Sequence, residues 1–241
     1  MLPIYDINKI KFSTDRATFE KAVALYENGR VTQLEESMGG FSAIVLGSKP
    51  YHVFVDMRYH DRGCCDCYLG QNDTLCKHMV AVAIHAAMMG QPLGDTDKKY
   101  ISCAQCSGRL QELNKEELAT IKKSITGAMR YIKPYDGPSK TWFAYQNSLA
   151  EGCNRLSAII SDLPINKKTT TLLVDMLLRL DKKLCQGGVD DSDGTVGNFI
   201  YETVNVLKEY IRLSPSYVTA FDALKNRETC FGWEEPLLEL M

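Results

Sequence analysis

At 241 residues, 45% of them hydrophobic, the chain can bury one or two cores. Lysine and arginine total 28 against 30 for aspartate and glutamate, a formal net charge of -2 that argues against a chain held to nucleic acid by one broad basic surface. No run approaches the ~18 apolar residues of a membrane span; the nearest, 79–89, is short and contains His85.

In chain order, residues 1–11 mix Pro3, Asp6, Lys9 and Lys11 with single apolar residues, so no secretion signal is expected there. A helix is predicted over 15–28, with Ser13 or Thr14 as its cap, a face of Phe19, Val23 and Tyr26, and Gly29 as its stop. Strands are predicted over 31–36, 41–46 and 52–57. Gly39-Gly40 separates the first two, and Gly47-Ser48-Lys49-Pro50 suits a hairpin turn between the others. An apolar helix over 79–89 follows, stopped by Gly90 and Pro92.

The polar, turn-rich stretch from Gln91 reads as a boundary, and the remainder reads as helical. Asn114 with Glu117 makes a capping box for a helix reaching about residue 132. Further helices are predicted over 141–163, 168–184, 196–213 and, after Pro215, 217–225. The fold class expected is α+β: a small antiparallel β-hairpin and helix (ββα) module, then an all-α domain. The expected bounds are 1–92, a linker over 93–112, and 113–241.

The strongest chemical signal is Cys65-x-Cys67, eight residues, then Cys76-x-His78. Three thiols and an imidazole in two tight pairs are what a tetrahedral Zn²⁺ takes, and four protein ligands leave no place for water or substrate. The site therefore reads as a structural clip. Cys76 and His78 fall where the apolar helix begins, and free N–H groups there stabilise thiolates. Cys64 is an alternative to Cys65 as the first ligand, and His60 is either a surface histidine or a hydrogen-bond partner of the site.

These ligands, preceded by Val31, Gly40, Val45-x-Gly47-Ser48 and Tyr51-x-Val53 and followed by Lys77-His78-Met79-Val80-Ala81, resemble a SWIM-type zinc finger of the prokaryotic sort. The likeness covers about residues 25–90. It implies one zinc on Cys65, Cys67, Cys76 and His78 in a ββα arrangement, and a role in binding DNA or another protein rather than catalysis. The helical portion is similar, more weakly, to regions that accompany such fingers, and this likeness supplies no activity.

Nine cysteines, five of them in CxC, CxH and CxxC pairs, read as metal ligands and buried thiols in a reducing cytoplasm, not as a disulfide framework. Cys153, Cys185 and Cys230 read as core thiols. Cys103-x-x-Cys106 is open to three readings: half of a second metal site, a redox dithiol, or unremarkable cysteines. Asp190-Asp191-Ser192-Asp193-Gly194 is not a calcium loop, because Val189 and Ile200 would fall on ligand positions; it reads as a helix start, or as a surface for a basic partner.

Were nucleic acid bound, Lys49, Arg58, Arg62 and Lys77 would be its phosphate contacts. They stand among Asp56, Asp61, Asp66 and Asp73, which leaves a weak field. Phe231-Gly232-Trp233 reads as a cap on the helices, or as a docking anchor if exposed. No phosphate loop, nucleophile elbow or HExxH stands in the chain, so no enzyme is expected. The expectation is a cytoplasmic zinc-binding adaptor for a protein partner, with DNA binding through the finger as the alternative. The sequence leaves the oligomeric state open.

Overall fold

Helix formation begins earlier than the apolar pattern suggests. In the computed structural model, which describes residues 2–241, the Asp6 carboxylate accepts the Lys9 N–H at 2.7 Å and starts α1 (Ile7–Ser13). α2 (Arg16–Glu27) is capped by Asp15, not by Ser13 or Thr14: its carboxylate accepts the Thr18 N–H at 2.9 Å.

Four antiparallel strands follow in the order β1 (Val31–Ser37), β2 (Gly40–Leu46), β3 (Pro50–Asp56) and β4 (Gly63–Cys65). Ala43 stands opposite Val53 and Phe41 opposite Val55, and these four side chains are buried on one face. That face meets α3 (Lys77–Met88), which also packs against α2. Because α3 lies between sheet and helix, its run from Met79 to Ile84 is buried on every side. A bulge between Thr32 and Glu35, with Gln33 at φ 51°, interrupts the outer strand β1. The region is α+β as expected but larger than ββα, because β4 and α1 complete it.

The chain divides into two compact units, with the division in the sequence between Tyr100 and Ile101. Residues 93–112 do not form a free linker. Leu93 is buried in the first core, α4 (Asp95–Lys98) receives the Lys11 ammonium on the Thr96 carbonyl at 2.8 Å, and the Tyr100 hydroxyl donates to the Thr14 carbonyl at 2.9 Å. From Ile101 onward the backbone is a strap on the second unit. The Ala104 N–H donates to Glu202 at 3.0 Å, the Gln105 N–H to Ser161 Oγ at 3.0 Å, and the Asn166 side chain to the Gln111 carbonyl at 2.7 Å.

The second unit is mostly helical: α5 (Lys115–Ala128), α6 (Trp142–Asp162), α7 (Lys167–Cys185), α8 (Thr195–Leu213) and a short α9 (Glu235–Leu238). Asn114 and Glu117 form the expected capping box, with both bonds at 2.8 Å. α6 packs on α5 and α8, and α7 on α8, around Leu149, Leu156, Leu173, Leu177, Leu207 and Tyr210. The short helix expected after Pro215 is present over 215–224 in 3₁₀ form, held by buried Ala220, Phe221 and Leu224. Cys185 and Cys230 are disulfide-bonded across 45 residues, Cα–Cα 6.4 Å, which corrects their reading as core thiols. Among the described residues no helix is long and apolar enough to cross a membrane.

Candidate metal centre

Strand alternation decides between the two adjacent cysteines. On β4, Cys65 faces inward opposite Val53 while Cys64 is exposed, so Cys65 is the one that joins the cluster. Cys67 lies two residues on, where the chain leaves the strand. A tight turn then brings the Gly70 N–H to Cys67 Sγ at 3.4 Å. Only glycine fits at position 70, because a Cβ there would lie 2.3 Å from the Cys65 carbonyl oxygen. Cys76 is the cap residue of α3 and His78 sits in its first turn.

These elements place the three sulfurs and one ring nitrogen within 4.8 Å of one another, all four residues buried. His78 Nδ1 is 3.7 Å from Cys65 Sγ and 3.9 Å from Cys76 Sγ. A tetrahedral cation with metal–sulfur bonds of about 2.3 Å has ligand–ligand edges of about 3.8 Å. The donors stand at the spacing such an ion needs.

Electrostatics agree with that fit. Burial pushes the Cys65 thiol up, against the opposing Cys67 N–H. Burial also raises Cys76, although the Met79 and His78 N–H groups at the helix start act the other way. Burial raises Cys67 too, but the Gly70 N–H and the neighbouring thiols bring it below its ordinary value. Three thiols share one buried space, and a divalent cation is what would stabilise them together as thiolates. Burial, with Lys77 adding and Asp66 opposing, holds His78 down to about 4. At neutral pH its ring is therefore uncharged and has a lone pair to give.

The rest of the shell fixes that ring. Tyr51 stacks on His78 at 4.2 Å between centroids and 22° between planes, while the outer nitrogen, Nε2, is buried with no hydrogen-bond partner. Gly47 makes room for the pair, since a Cβ there would lie 2.9 Å from the Tyr51 ring. Tyr51→Ala is expected to weaken metal retention about tenfold, read by competition with a chromophoric chelator, while Tyr51→Phe keeps it. Asp66, between the first two ligands, has its Oδ1 buried without a hydrogen-bond partner.

Other sequence candidates lie elsewhere. Buried His60 bonds Ser13 Oγ at 3.1 Å and meets the Tyr5 ring edge-on, so it supports α1. Cys103 is exposed and Cys106 half-buried on the strap, and neither belongs to a cluster of three or more ligands among the described residues. Cys103 gains Glu202 as a neighbour, and burial followed by that carboxylate raises its thiol. The four basic residues do not converge. Lys49 precedes β3 and lies over the Tyr51 ring, whereas Arg58 and Arg62 follow β3, Arg62 over Tyr59 at 4.2 Å. A strand of seven residues separates those ends by about 20 Å. Lys77 is exposed at the start of α3.

The comparisons with known proteins leave this geometry to speak for itself. No family model, no curated protein and no solved structure matches the chain. What the structure carries is the cluster of Cys65, Cys67, Cys76 and His78, which can coordinate a metal ion and matches the SWIM-type zinc-finger ligand pattern.

Proposed function

We propose that the first unit is a zinc-stapled recognition module that docks a protein, and that the chain works as an adaptor rather than an enzyme. Zinc is the cation favoured by three thiolates and an imidazole in a tetrahedral frame. Cys65, Cys67, Cys76 and His78 would hold it. With four protein ligands the ion supplies structure and not a reactive water.

The observation that carries the docking reading is the loop clamped between the two ligand pairs. Tyr68 is 81% exposed and Leu69 44% exposed there, although both are large and apolar. Metal ligands at each end of the loop limit the ordering cost of binding, and an aromatic anchor beside an aliphatic one is typical of interface hot spots. Its charges, Asp66 and Asp73 against Lys77, suit a protein surface better than a phosphate backbone.

A photo-crosslinking residue at Tyr68 in living cells tests the proposal. A discrete protein adduct is expected, lost on Leu69→Ser and on Cys76→Ser. Adducts with nucleic acid, or salt-sensitive duplex binding that falls on Lys77→Ala and Arg62→Ala, would replace this reading with DNA recognition.

A further inference from the structure

We propose that the helical unit contains a binding site of its own, a cavity along α8 that takes a small amphiphilic anion: an elongated apolar body ending in one carboxylate. The cavity holds about 440 Å³, within the range of small-molecule pockets. Gly197, Tyr201, Val204 and Lys208 line it from α8, at the three- and four-residue spacing of a single helix face. Phe231 and Trp233 form the facing wall.

Two local features open onto this space. Gly197 is the third residue of α8, in its first turn. Packing does not demand it: a Cβ there would meet Asp191 Oδ2 at 3.5 Å and the Phe231 ring at 3.8 Å, both ordinary contacts. What the missing side chain leaves is room. Phe231 holds the left-handed conformation, φ 65°, which a bulky residue avoids, and is 78% exposed at the edge of the cavity. The wall is braced from behind, since the Cys230 N–H and the Trp233 indole N–H both donate to Asp181 Oδ1, at 2.7 and 3.1 Å. The cavity is thus preformed.

Charge selects the occupant. The Asp191 carboxylate is engaged at the helix start, accepting the Val196 N–H at 2.7 Å and the Gly197 N–H at 2.8 Å. Lys208 is the only cationic side chain in the lining, and its ammonium has no ion pair among the described residues. The helix rises about 16 Å from Gly197 to Lys208, so a ligand with its apolar end at the glycine and its anionic end at the lysine is elongated. Helical side chains lean toward the N-terminus, which carries Lys208 back over the cavity.

The test is calorimetric titration of the full chain with octanoate, with 1-octanol as the uncharged control. One saturable octanoate site per chain is expected. Gly197→Leu, which fills the floor while improving helix propensity, should weaken both ligands at least tenfold with circular dichroism unchanged. Lys208→Gln should weaken octanoate about tenfold and leave octanol alone. If the leucine variant fails to fold, Asn205→Trp on the exposed rim obstructs the same space. Absence of saturable octanoate binding, or binding undiminished by an obstructing variant that folds, would overturn the site. Equal losses of both ligands in Lys208→Gln would overturn the anionic headgroup.

Discussion

Stripping the metal from the first unit is expected to release residues 63–80 into rapid hydrogen exchange while the helices from Lys115 onward stay protected. The reason lies in what the segment has besides the ion. β4 contributes only three residues to the sheet, and the following loop is largely exposed. Three thiols and a ring are packed together there, and burial opposes ionisation of Cys65 and Cys76. A structural zinc site contributes about 10 kcal/mol or more to apparent folding free energy in small fingers, comparable to the whole stability of a domain at about 5–15 kcal/mol. The unit also has an apolar core of its own, with Phe19, Val45, Val55, Ala83 and Ile84 buried. Part of the fold is therefore expected to survive as sheet and helix without a fixed β4. Cys76→Ser should reproduce the chelated state, and Cys103→Ser should not. Unchanged exchange over 63–80 after chelation would remove the structural role of the metal.

The parts legible in the sequence are those whose signal is local. The ligand spacing, the Asn114–Glu117 box and the apolar stripes of α6, α7 and α8 are readable because their physics repeats within a few residues. The parts that were not legible depend on contacts between residues far apart. β4 is a strand only because β3 pairs with it, and Cys64 differs from Cys65 only by the face that this pairing assigns. The polar composition of residues 93–112 suggested a linker. Its backbone groups instead find partners such as Glu202 and Ser161, more than fifty positions away. α1 has a weak apolar pattern, and Asp6 had to be recognised as a cap. The cavity on α8 left one trace, a glycine at position 197 inside a strongly periodic helix, which becomes informative only once Phe231 is found above it. Nothing in the spacing of Cys185 and Cys230 marked them as partners.

That pairing carries the second large effect. Closing a loop of 45 residues restricts the unfolded chain, and the loop-entropy relation gives about 4 kcal/mol. For the unit beginning at Ile101 this corresponds to a fall of about 13 °C in Tm when the bond is absent. Cys230→Ser is a clean test because the backbone N–H at 230 and the Trp233 indole still reach Asp181. Cys185→Ser, Cys230→Ser, the double variant and the reduced wild-type chain should all melt together, since each removes the same bond and the effects do not add. Thiol titration of the denatured, metal-free, unreduced chain should find seven of the nine cysteines; nine would dispose of the bond. Reduction matters beyond stability, because Cys230 immediately precedes Phe231, the strained residue at the edge of the cavity. With the tether cut, the wall keeps its two hydrogen bonds to Asp181 but loses its covalent anchor on α7.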